Sequence, residues 1–491
     1  MAARAWRLVR LDPQIIGWAA AAALLAAAAG LAVGSHSREA LDVAVLGVCS
    51  YCVATRPYAA LLFLLVIRTA EVQNGAMLDL LTLGAGGLTL LVLAPRLPAK
   101  WLTVPFLILV LLAAPSLPLL PSADEGFRPP MLQVPLISYP YLKTPSGELL
   151  AWVRLASLLV IFCLAAWTIT TPRRLRGVVI ATLVSAVVPI EIAVRQLVTG
   201  QLAVRQGFRA VQGPFTHPNY FAFYLVVVLV VAIVTFIESR SLWERVGTGL
   251  VGALAMPCLV LTYTRSAWIA FAIALVLLGL LRYRTVLVVG VVALGLAAFL
   301  VPSTARRVQQ RFGDLSSQSQ AHSTSSWSWR TGQWGRMVHF GLDRPLTGTG
   351  FESYPRMTLT EFGREDPKYP TAPKGAQHGT ALGFFAHNDY VKMLVEMGFP
   401  GVILWTLVLI GLPATGLRAR RVPGVGPAAT AVVAIGTAFL IISVSDNLQD
   451  YTVAELYAYG LAGSVVGVML ARRSGAAARS APADVAGADR S

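Results

Sequence analysis

PNYFAFYLVVVLVVAIVTFIE, residues 218–238, runs from a proline suited to the first turn of a helix to a lone glutamate, with no other charged residue between them. About 20 apolar residues are what an α-helix needs to cross a bilayer. Stretches of the same kind recur at 14–34, 39–55, 57–70, 76–95, 101–120, 149–170, 175–197, 247–263, 265–282, 285–301, 389–411, 426–445 and 451–471. The stretches at 39–55 and 57–70 are short and can be read as a re-entrant pair. The expected fold is therefore all-α: a polytopic membrane protein of about 12, and up to 14, transmembrane helices.

Composition points the same way. Of 491 residues, 56% are hydrophobic and 13% charged, where a soluble domain carries roughly 25% charged residues. The net charge of +16 implies membrane orientation and anionic, phosphate-bearing partners. No basic patch with interleaved aromatics stands on a soluble stretch, which argues against nucleic acid. The four cysteines, Cys49, Cys52, Cys163 and Cys258, all lie in apolar segments and read as packing residues, not as a disulfide frame or a zinc site. Arg4, Arg7 and Arg10 ahead of an Ala/Leu-rich stretch resemble a signal peptide. The stretch 14–34 is long for such a segment and reads as an uncleaved first span.

Short-loop arginines orient the helices. If the spans alternate, one side collects Arg4, Arg7 and Arg10, then Arg56, Arg96 and Lys100, Arg173, Arg174 and Arg176, Arg240 and Arg245, Arg282 and Arg284, Arg418, Arg420 and Arg421, and Arg472 and Arg473. That side is expected to be the cytoplasm, with both termini on it. The opposite face then carries 122–148, 198–217, the corner at 263–265 and a long polar loop. The chain divides into N-terminal transmembrane helices (1–301), a periplasmic loop domain (302–388), C-terminal transmembrane helices (389–473) and a disordered cytoplasmic tail (474–491). Arg330 to Phe340 in the loop falls at helical spacing.

The outer face gathers polar groups at helix ends. Arg205 and Arg209 precede Thr216, His217, Pro218 and Asn219 at the mouth of a span. Arg265, followed by Ser266, sits in a tight corner between two apolar spans, and an ionisable group near membrane depth is a functional hypothesis by default. His387, Asn388 and Tyr390 open a third span. Each has a plainer reading: an arginine at a helix end can be a snorkelling anchor, a histidine a structural hydrogen-bonder, and Thr216, Asn219 and Ser266 caps. Together they suggest one chemistry. Guanidinium forks match phosphate oxygens, and an imidazole takes a proton near neutral pH. A phosphate-linked donor meeting a hydroxyl acceptor needs both.

Four motifs in order resemble the O-antigen ligase and O-antigen polymerase superfamily of bacterial membrane glycosyltransferases. They are Arg209-x-x-x-Gly213-x-Phe215-x-x-Pro218-Asn219; Thr264-Arg265-Ser266-Ala267-Trp268; Arg330-x-x-x-Trp334 with Pro345-x-x-Gly348-x-Gly350-Phe351; and His387-Asn388-x-Tyr390-x-x-x-Leu394-x-Glu396-x-Gly398-x-x-Gly401. The second departs from the family pattern: Ser and Arg are exchanged and no Gly follows. The resemblance runs over most of the chain and is strongest from Arg205 to Gly401. It implies a fold similar to the GT-C glycosyltransferases, with a periplasmic loop domain over the active site. It also implies a metal-independent, cofactor-free, inverting transfer of a glycan from undecaprenyl pyrophosphate to a periplasmic hydroxyl. Arg209 and Arg265 would bind the pyrophosphate, supported by Arg205. His387 would be the base, with Asn219, Asn388, Tyr390, Arg330 and Trp334 in support. The acceptor is lipid A-core for a ligase or the growing glycan for an O-antigen or exopolysaccharide polymerase. A protein acceptor, or a flippase for the lipid-linked oligosaccharide, is a further alternative. The site belongs on the periplasmic face of the inner membrane, among membrane lipids. Gly348-x-Gly350 does not open a βαβ unit and reads as a turn.

Overall fold

A computed structural model describes residues 52, 55–69, 79, 82–87, 97–114, 146–205, 208–287, 290, 326–362 and 385–480. The spans expected at 14–34, 39–55, 76–95 and 285–301 lie wholly or largely outside these residues, as does much of the loop domain expected at 302–388. The described helices are α1 (Pro57–Ile67), α2 (Lys100–Ala113), α3 (Ser146–Thr168), α4 (Pro172–Val184), α5 (Val187–Thr199), α6 (Pro218–Glu238), α7 (Leu242–Leu261), α8 (Arg265–Leu281), α9 (Ser326–Asp343), α10 (Tyr354–Phe362), α11 (Asp389–Ala419), α12 (Gly426–Ile442) and α13 (Thr452–Ser480). Among the described residues, six helical stretches are long and apolar enough to cross a membrane, and α1, α2, α8 and α12 are shorter apolar helices. The chain is a mostly helical membrane protein.

The stretch 218–238 is the centre of the bundle. From Phe221 to Val231 every side chain of α6 is buried, as expected of a helix that is apolar all round. It packs against α7, α12, α8, α13 and α4. On α7, by contrast, Leu242, Trp243, Val246, Leu250 and Leu254 are exposed on an apolar face, the character of a lipid-facing helix.

Helix ends sort into two sets. The Arg176–Glu244 pair (2.6 Å) joins the starts of α4 and α7, and Arg282–Glu238 (2.9 Å) joins the ends of α8 and α6. Arg418 near the end of α11 lies 4.5 Å over the Trp101 ring at the start of α2. The arginine-rich connections thus share one end of the bundle. The starts of α6, α8, α11 and α13 share the other.

Several features differ from the sequence reading, each for a local reason. The span expected at 175–197 is broken between α4 and α5. Pro189 has no N–H to give the Ser185 carbonyl, which accepts instead from Thr69 Oγ1 (2.6 Å), while the Ser185 hydroxyl pairs with Tyr224 (2.8 Å). The all-α expectation has one small exception. Ala203–Arg205 (β1) and Phe208–Ala210 (β2) pair antiparallel, with Val204 opposite Arg209. Helix α1 is about 16 Å long at 1.5 Å per residue, half of what a crossing needs. Its C-terminal end meets a buried pair, Arg68 bridging both Asp79 oxygens at 2.9 and 3.0 Å. The last helix continues through Ala-rich residues to Ser480, past the tail boundary drawn after Arg473. Residues 481–491 lie outside the described set.

Helix α11 carries a sharp break at Gly398 (φ 64°, ψ −161°), a backbone conformation open to glycine alone. The turn at 344–350 seats against the break. Thr349 N donates to Val395 O (2.9 Å), Gly350 N to Glu396 O (2.8 Å), and Phe399 N to Pro345 O (2.8 Å). Gly348, also at positive φ, has no room for a Cβ against the Glu396 backbone, and Gly398 none against the Pro345 carbonyl. The G-x-G is thus a close-packed turn that meets the backbone groups freed by the kink. Gly398→Ala is expected to destabilise the protein by about 1–3 kcal/mol, read as a lower unfolding temperature of the detergent-purified chain. A variant as stable as its parent would mean that the turn does not seat on the kink.

Candidate active site

Four segments far apart in sequence meet at the end of the bundle away from the arginine-rich connections. The first is the start of α6. His217 caps the helix, its Nδ1 accepting from Asn219 N (3.1 Å), and Pro218 fills the first helical position as expected. The second is the α7–α8 corner. Tyr263 has φ 52° and Arg265, half-buried, opens α8. Thr264 Oγ1 donates to Asn219 Oδ1 (3.1 Å), which ties this corner to α6. Arg265 thus belongs to the first turn of α8, at the positive end of that helix's dipole.

The third is α9, which covers the expected helix at 330–340. One turn apart on it, Arg330 Nη1 donates to Ser445 O (2.6 Å) and Trp334 Nε1 to Ala386 O (2.5 Å). These two side chains tie α9 to Ser445, in the turn after α12, and to Ala386, just ahead of the fourth segment. There Asn388 caps α11, accepting from Tyr390 N (3.0 Å) and Val391 N (3.1 Å), and the Tyr390 hydroxyl anchors on Leu440 O (2.8 Å). Asn388 and Tyr390 therefore hold the helix start in place. Just ahead of them His387 sits at φ 49°, a left-handed conformation uncommon for a non-glycine residue. Strained residues cluster at functional sites, and two of them, Tyr263 and His387, flank this one.

The turn between α12 and α13 supplies a residue that the sequence reading passed over. Asp446, fully buried, lies with Oδ1 3.6 Å from His387 Nδ1. It accepts from Ser266 Oγ (2.7 Å), Asn219 Nδ2 (3.4 Å), Asn447 N (3.1 Å) and the Tyr451 hydroxyl. Burial pushes its carboxyl up. The His387 imidazole, the Arg330 charge and the Tyr451 hydroxyl outweigh that and hold it well below the usual carboxylate range. Asp446 thus stays charged at neutral pH. All four motifs reach this carboxylate or its flanks. A signal was present: Asp446, Asn447, Asp450 and Tyr451 form a polar turn between two apolar helices. It read as a connector because the partner histidine is far away in sequence.

Beneath the turn, the buried Lys392 of α11 donates to both Glu352 Oε2 and Asp450 Oδ1 at 2.8 Å. Asn447 Nδ2 donates to the other Asp450 oxygen (2.8 Å) and Asn447 Oδ1 accepts from Asn388 N (2.9 Å). The loop before α10, the α11 cap and the Asp446 turn are locked together. Arg209 is placed less directly. It is exposed on β2 and makes no ion pair among the described residues. Its strand ends at Ala210, and the next residue, Val211, donates its N–H to Leu261 O (3.0 Å), three residues before the start of the α7–α8 corner at Thr264. The side chain of Arg205 lies outside the described residues.

A membrane-embedded helical bundle with a histidine–carboxylate pair and a guanidinium at one end is the class these features define. Residues 249–406 match the O-antigen ligase family model. The resemblance to the O-antigen ligase and polymerase superfamily is thereby borne out over this part of the chain, and the match supports an O-antigen ligase-type glycosyltransferase in general. A search of curated proteins returns no match.

Proposed function

We propose that this protein is a metal-independent, inverting glycosyltransferase that moves a glycan from undecaprenyl pyrophosphate to a periplasmic hydroxyl, with lipid A-core as acceptor. The observation that carries the reading is the pairing of His387 with an ionised, fully buried Asp446, next to Ser266 and hence to Arg265 at a helix N-terminus. Asp446, 3.6 Å from Nδ1 and so beyond hydrogen-bond distance, stabilises the imidazolium through its charge. The ring's other nitrogen, Nε2, takes the acceptor proton, as in a Ser-His-Asp relay. The acceptor oxygen attacks the anomeric carbon as its bond to the pyrophosphate breaks, which inverts that centre. Arg265 and the α8 N-terminus meet the charge growing on the departing diphosphate, with Arg209 and Arg205 as further cations on the hairpin. The arginine-rich end of the bundle supports an inner-membrane orientation with cytoplasmic termini and a periplasmic site.

Arg265→Lys is expected to cut transfer severely, by roughly 10²-fold or more, because an ammonium cannot offer two parallel donors to phosphate. Transfer at the parental rate in membranes would reduce Arg265 to an anchor. A deletion strain tests the acceptor: polymerised glycan stranded on its lipid carrier supports the ligase, whereas capped single repeat units on lipid A would indicate a polymerase.

A further inference from the structure

On α13 and the turn before it, five oxygen atoms are buried with no protein group bonded to them: Gln449 Oε1, Thr452 Oγ1, both Glu455 carboxylate oxygens and the Tyr459 hydroxyl. Positions 452, 455 and 459 are spaced to share one helix face. Glu455 and Tyr459 are fully buried. The Tyr459 ring packs on Phe106 of α2, with centroids 5.3 Å apart. Helical side chains lean toward the helix N-terminus, which carries that hydroxyl back toward Glu455. Both groups also lie within electrostatic reach of Asp389.

The charges around Glu455 do not balance. Lys392 is engaged by Glu352 and Asp450. Asp389 is met by Ser443 Oγ (2.8 Å), Leu448 N (3.1 Å) and Gln449 N (3.4 Å), and Glu396 Oε1 by Tyr354 N (3.1 Å). Arg154 lies 3.6 Å from Asp79, which Arg68 already holds. Glu455 alone of these carboxyls has neither a donor nor a cation on it. A buried polar group in that position calls for a water or an ion.

We propose that these buried oxygens bind a monovalent alkali cation, with Glu455 and the Tyr459 hydroxyl as its ligands. The donor set is all oxygen, which suits a hard cation, and its one carboxylate matches a single positive charge. Among the described residues no three His, Cys, Asp or Glu side chains gather to hold a metal ion, which leaves a divalent ion without the carboxylates it favours. The site sits under Asp450 and Tyr451, so the cation would brace the turn that carries Asp446.

The test is thermal unfolding of the detergent-purified full chain in NaCl, KCl and choline chloride at one ionic strength. The expected result is a saturable rise in unfolding temperature with Na⁺ or K⁺ over choline, lost in Glu455→Gln and shifted to higher salt in Tyr459→Phe, which keeps the ring on Phe106. Equal temperatures in all three salts would overturn the proposal and indicate a protonated carboxyl. So would a Glu455→Gln protein that keeps the cation response. Should Glu455→Gln fail to fold, Tyr459→Phe with an unchanged salt midpoint would overturn it too. The readout involves no glycan transfer, so it stands or falls apart from the proposed function.

Discussion

Membranes carrying His387→Ala are expected to transfer no measurable glycan, with the variant inserted at the parental level. Removing a general base costs roughly 10²–10⁴-fold. Folding should survive, because the neighbouring backbone is held by other residues. Trp334 holds Ala386, Asn388 caps α11, and Asn447 holds Asn388. His387→Asn is the sharper control. Asparagine tolerates left-handed φ better than most residues, so it keeps the local backbone while lacking the base. Transfer assayed from the lipid-linked donor, with immunoblotting for insertion, reads both variants. Near-parental transfer by either one would remove the general-base assignment.

Asp446→Asn should be almost as damaging. The carboxylate accepts four hydrogen bonds and faces the imidazole. An amide in its place turns an NH₂ toward groups that are themselves donors, and removes the charge that stabilises the imidazolium. The analogous exchange in serine proteases costs about 10⁴-fold in turnover; here a loss of roughly 10²–10⁴ is expected, in kcat more than in KM. A D446N protein within a few-fold of its parent would make Asp446 a structural acceptor only. If His387 variants failed while D446N worked, the base would act without this carboxylate.

The Asp446 and Lys392 contacts also explain why the sequence reading captured some residues and not others. Helix-forming apolar runs, the cap proline at 218 and the helix on α9 follow from local composition and spacing. The candidates His387, Arg265, Arg330 and Trp334 stood out because charged or polar groups are rare at the edge of apolar spans. The break at Ser185 was less visible, since its cause, Pro189, lies inside an otherwise continuous apolar run and the freed carbonyl is satisfied by Thr69 from a distant helix. Asn388 and Tyr390 were given supporting roles by resemblance, and their hydrogen bonds fasten the start of α11.

The order of residues alone was enough to specify a mostly helical membrane protein with polar groups at helix ends, because a bilayer crossing takes about 20 apolar residues. What belongs to the folded bundle is partnership. Asp446 meets His387, and Lys392 joins Glu352 to Asp450, only when α11 packs beside the α12–α13 turn. Such pairings depend on which helix ends become neighbours, and a period of 3.6 residues carries no information about that.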